Sequence, residues 1–375
     1  MPPLRVLHMI GCLEVGGSQS MVMNIYRNID RTKIQFDFII DKEVGSPYLD
    51  EIVSLGGKIY KLPKFNGKNV FSLRKSWYAF FKEHREYKIL HSHVRSYASL
   101  YLPIAKRNGL TTIIHSHSTS NGSGIASIAK KILQYPLRWQ ADYFFACSGE
   151  SGKWLFGNRI TQKGNFKIIP NAIDVKKYEY SEQSRKTIRE EFGIEDQFVV
   201  GHIGRFIEAK NHMFLVDIFN EIHKELSDSV LLLVGDGELR KTVESKVRKL
   251  NLQDSVIFAG VRDDVPALLS AMDVFVFPSV YEGLGIVTIE AQASGLSVIC
   301  SDAVPKEANL TNLIEYISLN LPLSIWKDKI INSKTKDRKA LLCSVAKTNY
   351  NIISSVEYLE EFYILKEQEN EHGKK

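Results

Sequence analysis

Short apolar runs alternate with longer segments of mixed polarity along nearly the whole chain. "RVLHMI" precedes a helix-like segment from about Ser18 to Ile29, and "FDFII", "ILHSH", "TIIHSH", "YFFACS" and "FKIIPN" follow. The rhythm restarts with "FVVGHIGRF", a helical stretch around Phe214–Glu225, "VLLLVGDG", a helix from Glu238 and "VIFAG". A helix near Val265–Ala271, "VFVFPS", a helix after Gly285 and "SVICSD" complete it. Runs that are apolar at nearly every position predict strands buried on both faces, and intervening helices of about ten or more residues predict parallel pairing. The fold class is α/β: two Rossmann-like, doubly wound parallel sheets with a cleft between them. The polar segment Lys176–Lys186 predicts the boundary, with one domain over 1–175 and a second over 176–351. "YNIISSVEYLEEFYILKEQ" predicts a closing amphipathic helix, about 352–369, packed back on the first domain, before the frayed tail "ENEHGKK".

A length of 375 residues suits two such cores, and 44% hydrophobic with 25% charged residues is ordinary globular composition. No stretch approaches the roughly 18–20 apolar residues of a membrane span, and the N-terminus lacks a signal-peptide layout. Cys12, Cys147, Cys300 and Cys343 lie far apart with no metal or redox spacing, which fits a reducing, cytoplasmic setting. Charge is uneven. Residues 1–170 carry 24 Lys+Arg against 11 Asp+Glu, a net of +13, while the remainder carries 25 against 32. A basic first half suits an anionic partner such as a membrane surface, a lipid pyrophosphate or nucleic acid. From Val70 to His84, the residues Val70, Leu73, Trp77, Phe80, Phe81 and His84 recur at helical spacing, with Arg74, Lys75 and Lys82 largely off that stripe. Such a helix is either core-facing or a membrane-docking face, and docking is the expectation to test.

Doubly wound sheets bind ligands at the carboxyl ends of their strands, and the unusual residues fall just after strands. "GCLEVGGSQ" places Gly16 and Gly17 before a helix, without the G-x-G-x-x-G spacing or a Walker-A lysine. His91 and His93, then His115 and His117, end two consecutive strands. No carboxylate or thiol accompanies them, so a polar sugar- or acceptor-binding role is expected and no metal. In "GHIGRFIEAKNH", Gly204 and Arg205 follow a strand and Lys210 comes five residues on; a guanidinium fork and an ammonium together neutralise a diphosphate. In "PSVYEGLGIVTIEAQASG", Glu282 and Glu290 bracket Gly283, Gly285 and a helix start, whose free N–H groups and dipole attract anions.

The order of "GR" with its following Lys, "GDG", "FAGVRDDV" and the E-x7-E of "PSVYEGLGIVTIEAQASG" resembles the C-terminal domain of retaining GT-B glycosyltransferases, glycosyltransferase family 4. "VGGSQ", the "HSH" strand end and "IIPNAID" resemble the family's first domain, so the likeness spans nearly the whole chain. "CSDAVPKEANLT" and "SLNLPLSIW" are similar to its EpsF-like exopolysaccharide and capsule branch. The resemblance implies a nucleotide diphosphate sugar donor, UDP-linked, with no metal or other cofactor, and a lipid-linked glycan or oligosaccharide acceptor. Arg205 and Lys210 would grip the diphosphate beside Gly204, and the backbone of Gly283, Leu284, Gly285, Ile286 and Val287 would cap phosphate and sugar. Glu290 would read the ribose and Glu282 the sugar hydroxyls, with the backbone at Val261 and Arg262 meeting the base. In the first domain, Gly16 and Gly17 would let acceptor and diphosphate approach, and His117, rather than His115, would lie under the sugar. Two departures stand out: Ala172 in "NAID" where Gly is usual, and "DAVPKE" in place of a second Gly-Gly-x-x-Glu loop.

The resulting expectation is a hexosyltransferase, cytoplasmic or peripheral on the inner membrane face, with no nucleic-acid partner. A nucleotide-sugar epimerase on the same fold, or a non-catalytic partner subunit, stays open beside it. A dinucleotide oxidoreductase is disfavoured, since neither half has the fingerprint.

Overall fold

A computed structural model describes residues 2–14, 16–42, 45–118, 125–333, 338 and 345–372. The chain packs as two units, Met1–Ile173 with Ile352–Lys375, and Asp174–Asn351. In the first, β1 (Leu4–Gly11), β2 (Ile34–Ile40), β3 (Ile59–Lys61), β4 (Ile89–Ser92), β5 (Thr111–Ser116), β6 (Tyr143–Ala146) and β7 (Phe166–Ile168) form one sheet. Its order is β3-β2-β1-β4-β5-β6-β7, and every pairing is parallel. The second unit orders β8 (Phe198–Ile203), β9 (Ser229–Val234), β10 (Val256–Gly260), β11 (Val274–Phe277), β12 (Ser297–Ser301) and β13 (Ile314–Ile317) as β10-β9-β8-β11-β12-β13, again all parallel. Both sheets are wound outward from a central pair, β1/β4 and β8/β11. At each pair the chain reverses direction across the sheet, so the loops leaving the two strands diverge and open a crevice at their carboxyl ends.

Local chemistry accounts for the elements. β2 is buried at all seven positions and β9 at all six, as strands covered on both faces must be. The segment Lys176–Lys186 holds a 3-10 turn, Val175–Tyr178, and the start of the helix Glu182–Phe192. Ser181 caps that helix by accepting from the Ser184 amide, and Gly193 ends it in the left-handed region at φ 66. The helix Ile352–His372 returns to the first unit. Its Ile352, Val356, Leu359, Phe362 and Tyr363 join the core of β1 and β2, and Glu360 accepts the Asp30 amide at 2.7 Å.

The apolar stripe of the segment from Val70, which fits a core-facing or a docking helix, is core-facing. The helix Val70–Glu83 turns Leu73, Trp77, Phe80 and Phe81 into the core, with Trp77 stacked 4.3 Å from Tyr101. Its stripe is therefore spent on packing against β4 and its neighbours. Its outward side keeps Phe71, 89% exposed, and Tyr78, with Lys75 and Lys82 also exposed.

A charge at the heart of the first sheet is fully satisfied. The Asp37 side chain is wholly buried, yet it accepts from Arg5 at 2.6 and 2.5 Å, from the Lys58 amide at 2.6 Å and from the Tyr87 hydroxyl at 2.7 Å. Removing one partner of a buried pair strands the other, at a cost of about 3 kcal/mol or more, whereas one neutral hydrogen bond is worth about 1 kcal/mol. Asp37→Ala is expected to lower protection of the β1 and β2 amides from hydrogen exchange by the larger amount, and Tyr87→Phe by the smaller.

Candidate functional site

In the second unit the two loops at the sheet reversal are sewn together. The Val280 amide donates to the Ala209 carbonyl at 2.8 Å, and Asn211, left-handed at φ 57, donates through Nδ2 to the Pro278 carbonyl at 3.2 Å. Gly235 lets the neighbouring "GDG" loop pass close by: at φ 129, a Cβ there would lie 2.2 Å from the Gly204 carbonyl oxygen. This framework presents Arg205 exposed, with no ion pair or side-chain hydrogen bond among the described residues. Lys210 is brought directly onto Glu282: Nζ lies 2.5 Å from Oε1, over the Phe277 ring at 4.5 Å, and both side chains are largely buried. The separate tasks expected of these two residues thus begin from a shared ion pair.

The turn Gly283–Gly285 leads into the helix Ile286–Ala293. Gly285 sits at φ 77, where a side chain would be strained, and no side chain caps the helix, which leaves its first amides and positive dipole end available to an anion. Gly283 is exposed, and a Cβ there would meet no other atom within 4 Å. Glu290, one turn further on, accepts from the Tyr178 hydroxyl at 2.9 Å, and burial pushes its carboxyl up to about 7. Val261 and Arg262 follow β10, two strands away from β8. Val261 is 80% exposed, while the Arg262 side chain is occupied by Glu191 and Asp264 at 2.6 and 2.7 Å, which leaves the loop's backbone as its free feature.

The first unit gathers its own set at the β1/β4 reversal. Gly16 caps the helix Gly17–Asn28 without any side-chain bond; its φ of −165 suits any residue, and a Cβ on Gly17 would make only ordinary contact with Asn171. The four expected histidines are joined by a fifth, His8 on β1. His8 Nδ1 lies 3.0 Å from His93 Nε2, and His93 Nδ1 lies 2.8 Å from His117 Nε2. Beside them, His91 contacts the Tyr363 hydroxyl at 2.6 Å and His115 Nδ1 at 3.2 Å. His115 is fully buried while His117 is only partly so, which leaves His117 nearer the surface. Burial drives all five pKa values down, His8 and His117 to about 3, with Arg95 also acting on His117, so the rings are neutral at pH 7.

Two triads, His8–His91–His93 and His93–His115–His117, have ring nitrogens within 4.8 Å of one another. A metal needs lone pairs that converge on one point. Here the rings of His115 and His117 stack at 4.1 Å and 23°, so their lone pairs run side by side, and the other close nitrogens already face each other across hydrogen bonds. The hydrogen-bonded pairs run as chains of imidazoles. Cys12, Cys147 and Cys300 are free thiols; Cys343 lies outside the described residues.

Sequence reasoning missed Tyr178, Asn211 and His8. Tyr178 lies in the segment taken for a linker, and His8 lies mid-strand in an apolar run. Only its register opposite His91 in the parallel pairing marks it, and that requires the topology.

Residues 184–311 match the family described as glycosyl transferases group 1, and residues 15–177 match Glycosyltransferase Family 4. The chain is 32% identical over 340 residues to the putative glycosyltransferase EpsF of Bacillus subtilis, covering 89% of this chain and 88% of that one. It is 25% identical over 357 residues to an Escherichia coli UDP-Gal:alpha-D-GlcNAc-diphosphoundecaprenol alpha-1,3-galactosyltransferase, covering 88% and 89%. Anabaena Alr3699/HepE, solved in complex with UDP, superposes with a TM-score of 0.76 at 17% identity over 96% and 99% of the two chains.

Glu290 sets a pH-dependent cost. Its folded pKa is raised from 4.5 to about 7, so the folded state resists ionisation. Below pH 4.5 both states are protonated and no penalty exists; the penalty grows as pH rises and is complete above about pH 7. Glu290→Gln keeps an acceptor for Tyr178 and removes the penalty. Thermal unfolding should show the variant more stable than wild type by on the order of 2 kcal/mol at pH 8, with no gain at pH 4.

Proposed function

The chain belongs to the group 1, family 4 glycosyltransferases and has their GT-B architecture, and on that premise we propose that it moves a sugar from a UDP-sugar to an acceptor carried on a lipid diphosphate, with anomeric retention, in building an exopolysaccharide or capsule. The observation that carries this reading is the cluster at the β8/β11 reversal, which gathers Arg205, the Lys210–Glu282 pair, the uncapped helix after Gly285 and the half-buried Glu290. Cations and amides suit a diphosphate, and carboxylates suit the hydroxyls of ribose and sugar. The E. coli relative is named for UDP-Gal and a diphosphoundecaprenol acceptor, and HepE binds UDP, which supports the same classes of ligand here. Arg205 and Lys210 stabilise the negative charge that grows on departing UDP, the task a metal performs elsewhere. The acceptor hydroxyl attacks the anomeric carbon on the face that UDP leaves, and its proton passes to the leaving phosphate oxygen.

The Lys210–Glu282 contact sharpens the roles. A diphosphate that takes Lys210 releases Glu282 toward the sugar hydroxyls, so donor binding exchanges one ion pair for another.

The membrane face also finds a new candidate. On the helix Ile125–Gln134 and the turn beyond it, Ile128, Ile132, Tyr135 and Trp139 follow i, i+4, i+7, i+11 spacing and are 57–68% exposed, while the polar Ser127 and Gln134 are buried. Lys130, Lys131 and Arg138 accompany the stripe, and Arg138 lies over the Tyr135 ring at 4.8 Å. Apolar anchors, an aromatic pair and flanking cations fit the interface of an anionic bilayer, where a lipid-carried acceptor resides. Among the described residues no helix is long and apolar enough to cross a membrane.

Purified protein given a panel of nucleotide sugars with lipid diphosphate acceptors should release UDP and form a glycoside, in EDTA as well as without it. Arg205→Ala and Lys210→Ala should each lose on the order of 10²–10³ in kcat while remaining folded; near-normal turnover in either sinks the clamp. By calorimetry, Glu290→Gln should weaken binding of free UDP, and Glu282→Ala should spare free UDP but impair the UDP-sugar. Wild-type affinity for UDP in Glu290→Gln would remove the ribose role. For the membrane, vesicles with anionic lipid should bind the protein in a salt-sensitive way, neutral vesicles should not, and Ile128→Ser with Trp139→Ser should abolish binding. The triple reversal of Arg74, Lys75 and Lys82 to Glu should have much the smaller effect. The opposite ranking would return the docking face to the helix Val70–Glu83.

A further inference from the structure

Five histidine side chains beneath the β1/β4 reversal contact one another, through ring nitrogens and through stacking, and have no carboxylate partner among the described residues. Their adjacent rings along one row are 5.0–5.4 Å apart at their centroids and tilted by 11° and 33°, with nitrogens 2.8–3.0 Å apart. That is a row of N–H···N hydrogen bonds between neutral imidazoles. A neutral imidazole has one donor and one acceptor nitrogen, so a ring bonded on both sides passes its polarity on to the next. His93 is bonded on both sides. His8 and His117 are therefore obliged to adopt the same tautomer as His93: either all three carry the proton on Nδ1, or all three carry it on Nε2.

The two ends of the row decide between these registers. His8 Nε2 and His117 Nδ1 are both shielded and have no partner among the described residues. Protons on Nε2 would leave an orphan N–H at His8, which is 2% exposed and lies between Phe36 and Phe38. Protons on Nδ1 leave only a lone pair there and carry the unsatisfied N–H to His117, the partly exposed end. An orphan buried N–H is the rarer and costlier defect, and at the strand end a ligand or water can relieve it.

We propose that His8, His93 and His117 form one head-to-tail imidazole chain held in the Nδ1–H tautomer, so that His117 offers a preset N–H donor to an oxygen of the bound sugar donor. His93 and His8 are positioning residues, acting through His117. The chain itself stands on the hydrogen-bond geometry; its use by the sugar rests on the glycosyl-transfer reading above. The second row strengthens the separation of the two. Tyr363 caps His91, which meets His115 and so keeps those rings out of the first row.

Long-range 15N–1H correlation spectra of histidine-labelled full-length protein read each ring's tautomer directly. The expected result is Nδ1–H at His8, His93 and His117 in the wild-type chain; mixed tautomers, or Nε2–H at all three, overturn the proposal. His93→Phe, which removes the ring bonded to His117 Nε2, should release the His117 ring from one tautomer to a mixture. An unchanged His117 in that folded variant is equally fatal. His93→Phe should lower transfer on the order of ten- to a hundredfold in kcat with free UDP binding unaltered. If His117→Ala transfers like wild type while the tautomers are as expected, the sugar contact fails and the chain survives.

Discussion

Parallel strands cannot be joined by a tight turn, and the return helix must cross one face of the sheet. A sheet wound outward in both directions from its centre therefore leaves one pair of neighbouring strands whose loops depart to opposite sides. In this chain that constraint operates at β1/β4 and at β8/β11, and the chemistry gathers there. Arg205 and Lys210 leave β8, Glu282 and Glu290 leave β11, and Gly16, His93 and His117 stand around the other reversal. The hydrophobic sheet interiors supply the rigidity that holds these side chains at fixed separations.

Charges within the two units are managed in contrasting ways. Asp37 is surrounded by donors and does nothing but hold the first sheet to Arg5, Lys58 and Tyr87. In the second unit, Asp273 plays the same part against Arg185 and Arg189, which together with Arg338 also cover the carbonyls ending the helix Val265–Ala271. The site carboxylates are less well provided for. Among the described residues Glu282 meets the cation Lys210, and Glu290 meets the Tyr178 hydroxyl and feels the charge of Lys177, in surroundings that resist its ionisation. Hydrogen-bonding capacity left unused in the folded protein is capacity available to a polyol, and the destabilisation it brings is typical of a surface kept ready for a ligand.

Much of this was legible beforehand, for physical reasons. Strands such as Val230–Val234 and Val274–Phe277 are apolar without interruption, and Val265–Ala271 is framed by Asp264 and Met272, so element type followed from local pattern. Short edge strands were not visible: β3 has only three residues and β13 only four, with Glu315 exposed, because edge strands are covered less completely. The amphipathic segment from Val70 could be read either way, since a stripe reveals that a face is apolar but not what covers it. The outward stripe on Ile125–Gln134 was missed for the same reason. Arg205, Lys210, Glu282 and Glu290 stood out because each follows a strand. The Lys210–Glu282 contact did not, because 72 residues separate its partners and only the adjacency of β8 and β11 unites them.

The helix Ile352–His372 belongs to the first unit, yet it is made last. Tyr363 meets His91 across 272 positions of sequence, and Phe362 and Leu359 cover a face of the first sheet. A ribosome adding about 5–20 residues per second needs on the order of ten to forty seconds to make the intervening second unit. Throughout that interval the first sheet must wait with one apolar face uncovered, and nascent chains that stall before residue 352 keep it so. Protection of that face during synthesis falls to chaperones or to the ribosome surface, and loss of the final helix would leave the second unit folded beside a first that cannot close.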